Sequence, residues 1–176
     1  MRTLIAATAL ALAACSPTAE APAPAPAPPA PKLVAAYDAD LIVKLAEPMD
    51  FKLAKRAEAA DPDGSWLDFS GPNGMGFRAQ ELHCPSHDDE VKCAGVLLTA
   101  RISTSKTDKF DRKDFANDFN EDEAAAHMWA DEDIHLAKLI VLDGGISEAN
   151  FKAQLQVFST VLHQNHNFLN PPAGDR

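Results

Sequence analysis

Cysteine and histidine side chains supply the main reactive groups of this 176-residue chain. Cys84 and Cys93 stand at the two ends of a polar loop that contains His87, and His83 directly precedes the first cysteine. Thiolate and imidazole groups bind zinc or copper, so these four residues form one candidate metal site. The two cysteines could instead form a disulfide, because facing positions of an antiparallel strand pair can give a suitable Cα separation. Geometry disfavours the metal site, since His83 and Cys84 are neighbours on a predicted strand and point to opposite faces.

The amino terminus indicates the compartment in which these cysteines work. Met1-Arg2-Thr3 carries one positive side chain, and the run from Leu4 to Ala14 is apolar. This layout is typical of a secretory signal, and the run is too short for a membrane-spanning helix, which needs roughly twenty residues. Leu12-Ala13-Ala14-Cys15 resembles the bacterial lipobox, in which the chain is cut before the cysteine and the thiol is acylated. We predict a signal peptide over residues 1–14 and lipidation of Cys15, with an ordinary secreted protein as the alternative.

The predicted export also bears on which membrane holds the protein and on whether Cys84 and Cys93 form a disulfide. In lipoproteins an Asp after the acylated cysteine favours retention at the inner membrane, whereas this chain has Ser16. We therefore expect the outer membrane, facing the periplasm, in preference to the inner one. Disulfides persist in such an oxidising compartment, so we favour a Cys84–Cys93 bond, which would stabilise the fold by about 2–3 kcal/mol in the chain-entropy model.

Alanine and proline dominate the stretch between the signal and the folded part. Residues 15–33 form a linker that cannot build a core, and alternating proline favours an extended spacer of about 3.1 Å per residue. A Pro-rich ligand for another protein is the competing interpretation. We assign residues 34–170 to one folded domain and 171–176 to a disordered tail. The net charge of −10 disfavours nucleic-acid binding, which relies on clustered Lys and Arg.

Capping, turn and periodicity signals predict an α+β domain with the element order α-β-β-β-β-α-β-β-α. Asp38, Asp111 and Ser147 are predicted to cap three helices; the first ends at Pro48 and the second near Asn120. The last helix has the strongest pattern, with apolar residues along one face at Phe151, Leu155, Phe158 and Leu162. Strands are predicted over Phe51–Glu58, Trp66–Phe69, Met75–Leu82, Ala94–Ser103, Ala124–Ala130 and Ile134–Leu142. Short turns should make the first four strands antiparallel, with the helices packed on the sheet.

Several short motifs in this predicted domain resemble the YbjN-domain family. They are Gly76-Phe77, the pair Cys84 and Cys93, Asn117-Asp118-Phe119-Asn120, and Gly144-Gly145-Ile146-Ser147-Glu148-Ala149-Asn150-Phe151. The acidic segment after Asn120 departs from the arginine and large residues expected there. The resemblance implies a type III secretion chaperone-like fold and a regulatory role in bacterial sensory transduction, and it implies no reaction. Chaperone-like folds often dimerise, so a homodimer is a further expectation.

The remaining candidate residues favour binding over catalysis. Asn117 and Asn120 fall near the predicted end of the second helix, where we favour backbone capping over a polar contact to a partner. The sequence has no nucleophile-elbow, zinc-protease or phosphate-loop motif, so we expect no enzyme, no catalytic residue, no cofactor and no bound metal. We assign the larger aromatic side chains to the core of sheet and helix: Trp66, Phe69, Phe77, Trp129 and Phe158.

The sequence therefore predicts a lipid-anchored protein of the bacterial envelope. Its domain is expected to be a non-catalytic binding or regulatory module, in signalling or stress response, that holds an unidentified protein or peptide. The lipid on Cys15 makes the membrane its other partner. The alternative is a metal-binding or redox protein that uses Cys84, Cys93 and the nearby histidines, and a plain structural lipoprotein is a third option.

Overall fold

The computed structural model describes residues 30–57, 64–83, 94–104 and 110–171. The elements described below belong to one compact unit that begins at Pro31. The helices are α1 (Ala39–Ala46), α2 (Arg112–Asp122) and α3 (Glu148–Leu169). The strands are β1 (Leu33–Val34), β2 (Lys52–Ala57), β3 (Trp66–Ser70), β4 (Gly76–His83), β5 (Ala94–Ile102), β6 (His127–Ala130), β7 (Ile134–Val141) and β8 (Ile146–Ser147).

Six of the strands form one antiparallel sheet in the order β2-β3-β4-β5-β7-β6. This confirms the predicted α+β class and the antiparallel pairing of the first four predicted strands. The hairpin of β6 and β7 joins the sheet through β7, so the shorter strand β6 becomes an edge. The longer strand β7 can make more hydrogen bonds to β5 than the short strand β6 could, and it pairs with β5 from Ile134 to Val141.

Each helix begins at the cap that the sequence predicts. The Asp38 carboxylate accepts a hydrogen bond from Leu41 N–H at 2.9 Å, and the Ser147 hydroxyl accepts one from Asn150 N–H at 3.1 Å. Asp111 accepts from two backbone N–H groups of α2, and the rings of Phe110 and Phe115 pack 5.4 Å apart across this helix start. These side chains satisfy amide groups that the first helical turn leaves without an internal partner.

The core lies between the three helices and one face of the six-stranded sheet. Alternate residues of β5 point into it, and the predicted stripe of α3 is buried against them, with Phe158 0% exposed. Phe77 of β4 meets Phe158 edge-on, with ring centroids 5.7 Å apart. Phe51, just before β2, is also fully buried and lies edge-on to Phe77 at 4.9 Å. The opposite sheet face contributes little to this core cluster.

The structure differs from the sequence prediction in several elements. Leu33 and Val34 form β1, which pairs with Ser147 and Ile146 of β8, so a two-residue strand lies at the end of the predicted linker. Helix α2 continues to Asp122, and β6 begins only at His127 instead of Ala124. The strand starts later because the helix is longer and the chain then needs a turn before it can pair with β7.

Several predictions fall on residues outside the described ranges. The signal peptide over 1–14, Cys15 with its lipid, the linker up to residue 29, the cysteines Cys84 and Cys93, and the tail from residue 172 are among them. They remain predictions from the sequence.

Candidate binding surface

The described residues end directly beside the predicted disulfide. His83 at the end of β4 and Ala94 at the start of β5 are facing Cα partners. Cys84 comes directly after His83 and Cys93 directly before Ala94, and both cysteines lie outside the described residues. The strand register therefore brings the two chain segments together one residue before the cysteines, and the bond itself stays a prediction.

Two site classes can be assessed within the described part of the chain. Among its residues, no group of three or more His, Cys, Asp or Glu side chains is arranged to hold a metal ion. None of the helices described is both long enough and apolar enough to cross a membrane.

Asn120 binds the backbone of the neighbouring edge strand. Its Nδ2 donates to Met128 O at 2.7 Å, and its Oδ1 accepts from Met128 N–H at 2.8 Å. The side-chain amide thus makes the pair of hydrogen bonds that another strand would make to β6. Asn117, by contrast, is exposed in the middle of α2, and the helix continues beyond it to Asp122.

Both edges of the six-stranded sheet discourage the addition of another strand. At β6 the ladder groups of Met128 are occupied by Asn120. At β2 the register shifts between Leu53 and Lys55, which places a bulge at Ala54. Bulges and exposed lysines are the devices by which proteins protect sheet edges from edge-to-edge pairing.

The sheet face opposite the helices is here called the open face. No helix of the described chain covers it, because the helices pack on the other side. The strand register assigns to it a mixture of cations, aromatic rings and aliphatic groups, among them Lys52, Lys55, Trp66, Asp68, Arg78, Leu97, Thr99, Arg101, Trp129, His135, Leu139 and Val141. In a chain with 26 acidic and 16 basic residues, the strand positions of this face are mainly basic.

Trp66 lies on the open face and is nevertheless only 6% exposed. Lys55 Nζ is 4.8 Å from the centre of its ring and the Arg78 guanidinium carbon is 4.1 Å from it, so two cations cover the indole. Arg78 is held in place by Asp68, with Nε donating at 2.8 Å and Nη2 at 3.1 Å to the two carboxylate oxygens. The prediction that Trp66 is buried is confirmed, but its cover is a pair of charged side chains.

Trp129 is on the surface, so its assignment to the core is wrong. It is 41% exposed, and its ring stacks on His135 with centroids 5.0 Å apart, while His127 lies 6.3 Å away. His135 Nε2 lies 2.9 Å from Asp131 Oδ1. The signal that places the indole outside is the alternation along β6, because Met128 beside it is 1% exposed and must face the core.

Arg101 on β5 is positioned by a carboxylate from the β6–β7 turn. Its Nε and Nη2 both contact Asp133 Oδ2, and its side chain is still 67% exposed. Burial acts to raise the pKa of Asp133, but hydrogen bonds from Arg101 and Ser103 outweigh it and leave that pKa lowered. The pKa of Asp131 is also lowered, first by the backbone N–H of Asp133 and then by His135. Both carboxylates are therefore held in the charged form beside the open face.

A shallow depression of about 630 Å³ lies on the open face, near the turn between β3 and β4 and the last residues of β5. The side chains around it include Asp68, Arg78, Thr99, Arg101, Trp129 and His135. Farther along β7, Leu139 and Val141 are each 55% exposed, and Leu97 faces Leu139 across the ladder. The sequence does not single out Arg78, Arg101 or this aliphatic strip, because recognising the open face requires knowing which side of the sheet the helices cover.

His163 and His166 of α3 lie among backbone and core groups of the domain. His163 Nδ1 lies 2.8 Å from Ser159 O, and its ring packs edge-on against the buried Phe51 at 5.4 Å. Burial lowers the pKa of His166. These contacts place His163 on the border of the core.

A second concavity of about 780 Å³ lies between the chain segment 32–41 and the first strands of the sheet. The Tyr37 hydroxyl beside it donates to Ala79 O at 3.5 Å. Burial, with a further contribution from Glu81, raises the pKa of Tyr37 to about 12. The phenol is therefore a neutral hydrogen-bond donor at physiological pH and has no nucleophilic character there.

Comparison with known proteins adds no assignment. No protein-family model matches the chain, and a search of curated proteins finds no match.

Proposed function

We propose that the chain is a lipid-anchored protein of the bacterial envelope whose domain is a non-catalytic binding or regulatory module. The observation that carries the binding role is the open face, a sheet surface that no helix of the described residues covers and that exposes Trp129, Leu139 and Val141. Large exposed apolar patches mark interaction sites on soluble proteins, and these three apolar side chains share one face of the sheet. The anchor rests on the sequence alone, through the signal, the lipobox at Cys15 and the Ala/Pro spacer.

The protected edges support a partner that is recognised by side chains. A strand added at β6 would compete with Asn120 for Met128, and one added at β2 would meet a bulge. The open face offers ordered groups instead, because Asp68 and Asp133 fix the two arginines and His135 supports the indole. Side chains that are already ordered lose little further entropy on binding.

The regulatory part of the proposal rests on the resemblance to YbjN-domain proteins. One of the motifs that carry this resemblance lies at a structural transition, with Gly144 and Gly145 in the left-handed region at φ 74° and 80° before the cap of α3. A two-sided domain, with the described helices on one face of the sheet and none of them on the other, suits a signalling or stress-response adaptor. Such an adaptor needs no catalytic group.

The anchor is tested by membrane fractionation of the full chain and of a Cys15→Ala variant in a Gram-negative host. We expect the wild-type chain in the outer-membrane fraction, with palmitate incorporated. The variant should keep its signal peptide or appear as unlipidated protein, and it should incorporate no palmitate. Equal palmitate labelling of the two chains would contradict the assignment of Cys15.

The binding role is tested by photo-crosslinking in intact cells. A photoreactive benzoylphenylalanine replaces Leu139 on the open face or, as the matched control, Val157 on α3, which is 42% exposed. We expect a discrete crosslinked product from position 139 and none of the same size from position 157. Identical products at both positions, or none at position 139, would refute a binding role for the open face.

A further inference from the structure

The charge of the open face differs in sign from that of the chain. The net charge is −10, yet its strand positions carry Lys52, Lys55, Arg78 and Arg101 against Asp68. Part of this charge is balanced locally, since Asp68 holds Arg78 and Asp133 holds Arg101. The remaining positive charges are Lys52 and Lys55 on β2, where Lys55 faces Asp68 across the strand pair.

Arg101 is oriented to receive a carboxylate. Asp133 Oδ2 engages its Nε and Nη2, while 67% of the side chain stays exposed. A guanidinium has five N–H donors in a rigid plane, so fixing one side of it leaves donors on the other side in a defined direction. Such a plane matches a second carboxylate bidentately.

The groups beside Arg101 suit an apolar side chain. Trp129 presents a partly exposed ring that is fixed by its stack on His135. Along β7, Leu139 and Val141 extend the apolar surface in steps of two residues on one face of the strand. An extended peptide has the same period of two, so its alternate side chains can meet these positions in succession.

Two other occupants fit the face less well. A second copy would bring the cations of one open face against those of the other, between chains that each carry −10, and juxtaposed like charges oppose association. An anionic bilayer would also attract the cations of the face. The candidate contact is a depression, however, whereas insertion among acyl chains needs an exposed amphipathic element that can enter the interface.

We propose that the open face binds an extended acidic peptide segment of another protein. A carboxylate of the segment lies on Arg101, and an apolar or aromatic side chain lies on Trp129. This inference rests on the proposed binding function and gives the partner its chemistry.

The test is a selection from a library of random dodecapeptides, with the detergent-solubilised full chain as bait. We expect enriched peptides that combine Asp or Glu with Leu, Phe or Trp. Their Kd should rise about ten-fold in Trp129→Ala and in Arg101→Gln, recover in part in Trp129→Phe, and stay within about two-fold of wild type in the control Val157→Ala. Far-ultraviolet circular dichroism of each variant verifies that it is folded.

Several results would overturn the inference. They are the absence of enriched peptides, enrichment of basic peptides, or equal binding by wild type and both open-face variants. Binding of phosphatidylglycerol vesicles that Trp129→Ala abolishes would assign the face to a membrane, and a dimer that the same variant dissociates would assign it to a second copy. If the selection fails while the crosslink at position 139 persists, the chemistry proposed for the partner is wrong and the binding function stands. If both fail, the function falls as well.

Discussion

Replacing Asn120 by Ala should destabilise the domain by about 2 kcal/mol. The side chain makes two hydrogen bonds to Met128, at 2.7 and 2.8 Å, and each such bond contributes about 1 kcal/mol net. Met128 is 1% exposed, so its backbone groups would have limited access to replacement water, which adds to the cost. Alanine is the better helix former by about 0.5 kcal/mol, and this partly offsets the loss.

The measurement is urea unfolding followed by circular dichroism, and Asn117→Ala is the matched control. Asn117 lies three residues earlier on α2 and is exposed, so its replacement should be neutral or stabilise by up to about 0.5 kcal/mol through helix propensity. The contrast between the two variants isolates the bonds to Met128, because residue type and helix are the same. If Asn120→Ala costs no more than Asn117→Ala, the view that this amide caps the edge of β6 is refuted.

Three further outcomes can be measured on the same protein. Trp129→Ala should change the free energy of unfolding by less than about 1 kcal/mol, whereas Phe158→Ala should lower it by about 3–5 kcal/mol, because of the two only Phe158 is fully buried. Equal losses in urea unfolding would contradict the assignment of Trp129 to the surface. The lowered pKa of Asp131 contributes stability that is present above its ordinary value of 3.8 and is lost as the pH falls through the lowered value. In Asp131→Asn, the free energy of unfolding should therefore fall less steeply as the solution is acidified. An unchanged dependence on pH would count against this linkage. Thiol titration of the denatured mature protein should find two free thiols at Cys84 and Cys93 only after reduction, and free thiols with stoichiometric zinc in the unreduced protein would favour the metal alternative.

Local signals in the sequence predicted correctly where the three helices begin. A cap is chemistry among residues three or four apart, so Asp38, Asp111 and Ser147 could be recognised without knowledge of the fold. The apolar stripe of α3 is equally local, because one helix face is defined by spacing alone. Hairpins among the first four strands followed from turn residues, for example Pro72-Asn73-Gly74 before β4.

Features that depend on distant residues were not predictable in the same way. Strand β1 consists of Leu33 and Val34, which pair with β8 far along the chain, and two residues are too few to show a period. The sequence also left open which of β6 and β7 would lie at the edge. The surface position of Trp129 depends on that choice and on which face the helices cover, and an Ala-rich approach to β6 gave little contrast between its two sides.

The protected sheet edges bear on whether a partner would be bound through backbone pairing or through side chains. Backbone pairing at a sheet edge is largely insensitive to sequence, because every residue offers the same N–H and C=O groups. Here Asn120 occupies the ladder groups of Met128, and the bulge at Ala54 distorts the other edge. Under the proposed function, recognition would therefore use the side chains of the open face, where Arg101 and Trp129 would select by charge and shape. Binding through these groups should weaken with added salt and respond strongly to single substitutions on either partner, neither of which is expected of an added strand.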